Sequence, residues 1–528
     1  MEQTPNNKTS RTLLIVLTVV IVLIALLVGA FFTCVCTCRS CVRCTGCGIK
    51  TCSNWAEDDP KPTQAAQKTQ SPATPAYTAA PNSASEPPQQ TTASDLVRDK
   101  RVTLRNDGTD TVTVLILMNG SDLESKDGEA TEDLTEMVRA QKSDRVNILV
   151  ETVGTRKWSK RYGISSKHAQ RYLVTDSGLT LVDDTLGQLD TTVPSTLSDF
   201  ILWGAQNYPA DRYILILWNH GGGAVYGFGY DEYQPYESTL TIDEIQLALK
   251  NGGVYFDLIG MDCCLMSSLE VCCALYDYCD YALLSEDFEP GCGWSHTGWL
   301  TALARNPAIP TEQLAATVID DTVAVCEKDL ARNGGATLAL IDEAYLALLY
   351  PAWVDFAYEN EETLLNQNYS QLRTSAGGRV HPRLRAVGDW YTDDGSLDDY
   401  YVTDLLSVAM NVPSEKTDAL CAAFDAAVVA FGATSDETTL TGLSVTLPYG
   451  DAAFYNELKR VFRNAGIDDA YIEWLGKFVQ VESSAGYFDF GDAYDWDGWN
   501  VYYDDYDWGG WDQGWIDDAA DWLFGGTW

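Results

Sequence analysis

The chain has 528 residues, 46% of them apolar, enough for one large domain or two ordinary ones with tails. Its formal net charge is −41, from 35 Lys and Arg against 76 Asp and Glu. That excess of acid argues against a nucleic-acid binder, which needs clustered Lys and Arg, and suits an exposed, soluble body that draws in basic partners.

Residues 1–12 form a short polar N-terminus. Leu13 to Phe32 then read LLIVLTVVIVLIALLVGAFF, twenty positions without a charge and the length of a membrane-spanning helix. The run exceeds the apolar region of a signal peptide and no small-x-small site follows, so an uncleaved signal-anchor is expected over 13–32. Lys8 and Arg11 on one side nearly balance Arg39, Arg43 and Lys50 on the other. The short N-terminus and the acidic bulk of the chain set the expectation of a single-pass cell-membrane protein, N-terminus in the cytoplasm and body outside.

Seven of the fifteen cysteines crowd into residues 33–52: Cys34, Cys36, Cys38, Cys41, Cys44, Cys47 and Cys52. The spacing of Cys38, Cys41, Cys44 and Cys47 suits a soft metal. It suits disulfides between neighbouring chains equally well. A zinc ribbon has two separated pairs, which this run lacks, so no metal site is assigned. Residues 53–94, as in KPTQAAQKTQSPATPAYTAAPNSASEPPQQTT, hold too little apolar side chain for a core and read as a disordered linker.

The body, residues 95–482, alternates buried strands with amphipathic helices. TVTVLILMNG (111–120) reads as a strand, ATEDLTEMVRAQ (130–141) as a helix and VNILVETVG (146–154) as a strand. PSTLSDFILWGAQNY (194–208) is a helix by the spacing of Leu197, Phe200, Ile201 and Trp203; RYILILWN (212–219) and FDLIGMD (256–262) are strands. Runs apolar on both faces, separated by helices, predict an α/β/α sandwich with a mainly parallel sheet. The tail, residues 483–528, repeats Asp, Gly, Tyr and Trp without a Lys or Arg, as in DWDGWNVYYDDYDWGGWDQGW. It reads as a disordered acidic tail; EF-hand spacing for calcium is absent.

Two strand ends carry chemistry. RYILILWN runs into Asn219, His220 and the glycines Gly221, Gly222 and Gly223; FDLIGMD ends on Asp262, Cys263 and Cys264. In parallel sheets ligands bind beyond the carboxyl ends of strands, so neighbouring strands would set His220 and Cys264 on one rim. A helix is expected to start just after Cys264, its positive end favouring the thiolate. His220 is then the acid–base partner, and the backbone N–H groups of Gly221 and Cys264 are oxyanion donors. Asp262, two positions from Cys264 and on the same strand face, would select a substrate Arg or Lys.

LILWNHGGG and DLIGMDCCLMSSLEV together resemble the signature segments of the clostripain family of cysteine peptidases, in the broad clan of caspases, gingipains and legumain. LILMNGSDLES (115–125), VNILVETVGTRKW (146–158), SEDFEPGCGW (285–294) and GLSVTLPYG (442–450) extend the resemblance over roughly 108–475. It implies a caspase-like fold and a His220–Cys264 dyad without an obligatory third residue. It also implies cleavage after basic residues, with Asp262 at the base of the specificity pocket. Glu286, Asp287 or Glu289 would supply a second acid. No cofactor is required, although some members need calcium. Protein or peptide substrates with basic residues are the implied partners.

The chain departs from the family in two places. Cys263 stands where the family has a small residue, and could pair with its neighbour. Lys250 is the sole basic residue between His220 and Cys264, where members often cut themselves, and it falls in a predicted helix. LVRDKRV (96–102), at the linker junction, is the alternative cutting site. Two competing readings are an inactive peptidase-like surface protein that binds through its aromatic acidic tail, and a structural surface protein cross-linked through its cysteine-rich stalk.

Overall fold

All eight residues of strand β1 (Val112–Asn119) are buried, as are those of β6 (Phe256–Asp262). In a computed structural model these two strands lie in the middle of the chain's large sheet. The structure describes residues 96–480, apart from 236–237, 329, 331–333, 367–401, 438–439 and 449–450. The expected signal-anchor, cysteine-rich segment, linker and tail lie outside the described residues. Among the described residues no helix is long and apolar enough to cross a membrane.

The other strands are β2 (Val146–Val153), β3 (Gln170–Thr175), β4 (Gly178–Asp183), β5 (Arg212–Trp218), β7 (Cys279–Leu284), β8 (Thr337–Asp342) and β10 (Val428–Ala433). Their order across the sheet is β10-β8-β7-β6-β5-β1-β2-β3-β4. The central strands β2, β1, β5, β6 and β7 run parallel. Antiparallel strands flank them at both edges, β3 and β4 on one side and β8 and β10 on the other. The mainly parallel reading therefore describes the centre of the sheet, and antiparallel pairing closes its margins. A small antiparallel pair, β9 (Val402–Asp404) and β11 (Ser444–Thr446), stands apart.

Strand alternation splits the side chains between two cores. Leu115, Leu117, Leu215, Leu217, Ile259 and Met261 face one, under helices Pro194–Asn207 and Ile242–Gly252. Val114, Ile116, Ile214, Ile216 and Leu258 face the other, under helices Glu129–Arg139, His296–Arg305 and Thr311–Glu327. Burying each such Leu, Ile or Val contributes about 1.5–3 kcal/mol. Buried Arg212 donates from Nε to Asp257 Oδ2 at 2.7 Å, tying the starts of β5 and β6 together and fixing the register on which the opposite rim depends.

The 96–102 segment crosses that starting rim. Arg98 donates to Asp280 Oδ1 at 2.9 Å, and Lys100 lies 3.5 Å from the centre of the Tyr281 ring. Asp280 and Tyr281 belong to the start of β7, so the junction proposed for cutting is pinned at the end of the sheet remote from His220.

Candidate active site

β5 and β6 pair in register, Trp218 opposite Asp262. Two residues further along each chain come His220 and Cys264, so both leave adjoining strands at one rim. The Asn219 N–H reaches Asp262 O at 3.4 Å, continuing the pairing. A Cβ on residue 221 would fall 2.0 Å from the Cys264 carbonyl oxygen, so only glycine lets the two backbones approach this closely.

Asn219 fastens the loop that carries the imidazole. Its Nδ2 donates to Asn119 O and, at 2.8 Å, to Ser121 Oγ; its Oδ1 accepts from Tyr230 N at 2.7 Å. Polar residues from three loops are thereby joined below His220. His220 Nε2 shares a 2.9 Å hydrogen bond with Asp122 Oδ1, and Lys126 Nζ lies 3.3 Å from Asp122 Oδ2. Burial works against ionisation of Asp122, but His220 and Lys126 outweigh it and hold the carboxyl below the usual carboxylate range. Sequence reading did not single out Asp122. Its signal was the NGSD turn at the end of the first strand, 98 positions from His220.

Cys264 sits in a turn, and the helix after it starts only at Leu269, capped by Ser268 Oγ accepting from Val271 N at 3.3 Å. The expected stabilisation of a thiolate by that helix is therefore absent. Burial instead pushes the Cys264 thiol up to about 12, aided by the Glu289 charge. Its Sγ lies between the Glu289 N–H, which donates to it at 3.3 Å, and Glu289 O at 3.8 Å. Leu265, next in the chain, has φ +65°, a left-handed conformation rare for Leu, and its N–H donates to Asp287 O at 3.1 Å. Cys263 points into the opposite core with Met261, and both adjacent cysteines are free thiols.

The acids sort by position. Asp262 is 3% exposed and accepts from Trp294 N at 3.1 Å. Glu289 Oε1 accepts from Trp294 Nε1 at 3.0 Å. Burial and the charge of Asp262 push the Glu289 carboxyl well up; burial also raises Asp262, against a lowering contribution from His296. Glu286 faces Asp404 and accepts from Gly442 N at 2.6 Å. Asp287 serves the turn through its carbonyl, while its Oδ1 accepts from Phe288 N at 2.8 Å. Of the three candidate second acids, Glu289 is the one whose side chain meets Asp262's surroundings.

His296, buried at the start of its helix, completes this cluster. Its Nε2 lies 3.3 Å from Asp262 Oδ2 and 3.8 Å from Asp133 Oδ2; Asp133 Oδ2 also accepts from Trp218 Nε1 at 2.7 Å. The ligand atoms of Asp133, Asp262 and His296 lie within 4.8 Å of one another. One imidazole and two carboxylates do not make the six to eight oxygens that calcium takes.

The sequence model of the clostripain family matches residues 116–411. Among solved structures the chain is similar to a secreted C11 cysteine protease from Bacteroides thetaiotaomicron in complex with an irreversible peptide inhibitor. The two share 18% identity over 67% of this chain and 99% of that one, with a TM-score of 0.50. An inactive zymogen C11 protease from Parabacteroides distasonis shares 17% identity over 70% of this chain and 99% of that one, with a TM-score of 0.49. No curated protein matches.

Proposed function

The chain belongs to the clostripain family and is a cysteine endopeptidase, and on that premise we propose that His220 and Cys264 form its catalytic dyad, in a membrane-tethered enzyme that cuts after Arg or Lys. The observation that carries this reading is the Trp218–Asp262 pairing, which sets the imidazole and the thiol on adjoining strand ends.

A thiol held neutral by burial needs a base at the moment of attack. His220 takes the Sγ proton as sulfur bonds to the substrate carbonyl carbon, then returns it to the leaving amine; water hydrolyses the resulting thioester. Asp122, held as a carboxylate, fixes the ring through Nε2 and stabilises the imidazolium. The backbone N–H groups of Gly221 and Cys264 serve the oxyanion. Before attack, Sγ must leave the Glu289 backbone.

Specificity rests on Asp262 and Glu289. Neither is paired with a lysine or arginine among the described residues; Asp262 has the His296 ring 3.3 Å away, and a substrate's basic side chain supplies a permanent cation. Residues 13–32 tether the enzyme to the cell membrane with the body outside. The chemistry calls for no cofactor, and calcium has no step in it.

The test is the full chain under reducing conditions with fluorogenic peptides ending in Arg, Lys, Asp or Leu. Turnover confined to Arg and Lys, and abolished in Cys264→Ala, is expected. Equal turnover after Leu would sink the specificity; retained turnover in Cys264→Ala would sink the nucleophile. Deleting residues 1–32 should move activity from the membrane fraction to the soluble one.

A further inference from the structure

Cys292 and Cys326, 34 positions apart, bring their sulfurs to 4.0 Å, and both are free thiols. Cys292 is partly exposed, in the tight turn where Gly293 N donates to Pro290 O at 2.9 Å. Cys326 is buried in the last turn of helix Thr311–Glu327. We propose that these two residues form a reversible disulfide that ties the turn at 290–294, which carries the Trp294 contacts to Asp262 and Glu289, to this helix and governs turnover.

A disulfide places its sulfurs about 2.0 Å apart, so the turn must close roughly 2 Å toward the helix. Its neighbours allow that. At Gly291 there is room, a Cβ there having Glu129 Oε1 as its nearest contact at 3.8 Å; Gly293 packs closely on Asp262, so movement of the turn is felt at that carboxylate. The hydrogen bond between the two sulfurs raises the Cys292 thiol and lowers the Cys326 thiol, so the buried sulfur is readied to take the proton of the exposed one and then to resolve the exchange.

The oxidant is a small-molecule disulfide. The Cys292 proton passes to the Cys326 sulfur as the Cys292 sulfur attacks one sulfur of that molecule, and the expelled small thiolate takes a proton from water. Cys326 then loses its proton, attacks the Cys292 sulfur and expels the second thiol. Two protein thiols are oxidised and one small disulfide is reduced to two thiols.

The link would act on the pocket through Trp294, two residues beyond Cys292. Trp294 donates from its backbone to Asp262 and from its ring to Glu289, and Glu289 holds Sγ of Cys264. Closing the disulfide shifts this turn by roughly 2 Å and pins it there, so that Trp294 no longer sets Asp262 and Glu289 as the open turn does. The link itself stands apart from the proposed function, while its effect on turnover rests on that reading.

The experiment incubates the full chain with oxidised glutathione, alkylates free thiols and maps peptides by mass spectrometry. A Cys292–Cys326 cross-link that reductant reverses is expected, and in Cys326→Ser a glutathione adduct should persist on Cys292. Both cysteines remaining alkylatable, or Cys292 pairing elsewhere, overturns the proposal. Turnover of an Arg peptide should fall several-fold in the linked protein while Cys264 stays unmodified by mass, and hold steady in Cys292→Ser. A full cross-link with unchanged turnover overturns the claim of control. A reduced protein without any turnover counts against the proposed function instead, and the cross-link is then read by mass alone.

Discussion

His220 Nε2 and Asp122 Oδ1 stand 2.9 Å apart, joining a strand end to a loop 98 positions earlier. The resemblance to the family implied a dyad without an obligatory third residue, and the geometry sets a carboxylate beside His220. Asp122→Asn should lower kcat by about 10²–10⁴-fold with little change in KM, because it removes the charge that holds and stabilises the protonated ring. Steady-state kinetics on an Arg peptide checks this; an unchanged kcat would leave Asp122 a merely structural neighbour.

Gly221→Ala should damage folding as well as activity. Its Cβ would meet the Cys264 carbonyl oxygen at 2.0 Å, and strands on both sides keep that backbone from yielding. A loss of about 1–3 kcal/mol in urea unfolding is expected. A variant of normal stability would mean that the two loops are looser than the geometry implies.

Glu289→Gln keeps an oxygen that can accept from Trp294 Nε1 and deletes the charge. For Arg and Lys peptides kcat/KM should fall about 10- to 100-fold, with any Leu peptide unaffected. A parallel loss on all peptides would place Glu289 in the fold rather than in selection.

Stability should decline as pH rises from about 4.5 to about 7. Burial raises Glu270 from 4.5 to about 7 despite its bonds from Thr446 and Tyr471, so the folded chain holds a proton there that the unfolded chain has released. Its contribution is complete below 4.5 and lost as pH passes 7; one such group is worth about 3 kcal/mol. Unfolding midpoints across this range should flatten in Glu270→Gln. Glu151, raised similarly by burial against Arg171, and Glu289, raised by burial and Asp262, leave a residual slope of the same sign.

The junction at 96–102 should resist proteases while folded. Arg98 is bound by Asp280 and by the carbonyls of Tyr276 and Cys279, so its side chain is not free to enter a protease pocket. Limited trypsinolysis should spare this bond and cut it in Asp280→Asn. Rapid cutting of the unaltered chain would restore the junction as a processing site.

The central strands were legible because burial on both faces leaves an uninterrupted apolar run; FDLIGMD matches β6 to the residue. The β3–β4 hairpin was not, since its outer strand, GLTLVD, is largely solvent-facing and lacks any such run. The helix after Cys264 was placed too early: LMSSLEV has apolar spacing throughout, but Ser268 caps the helix and the preceding residues form a turn. Among the site residues, His220, Cys264 and Asp262 stand at strand ends, where motif and topology coincide. Choosing Glu289 over Glu286 and Asp287 needed the path of a loop, which no periodicity reveals.

One residue, Glu289, meets Trp294 with its side chain and the Cys264 sulfur with its main chain. A ligand that shifts the backbone at Glu289 changes both contacts at once. On the proposed reading, recognition of a substrate cation and exposure of the Cys264 sulfur would pass through this one residue.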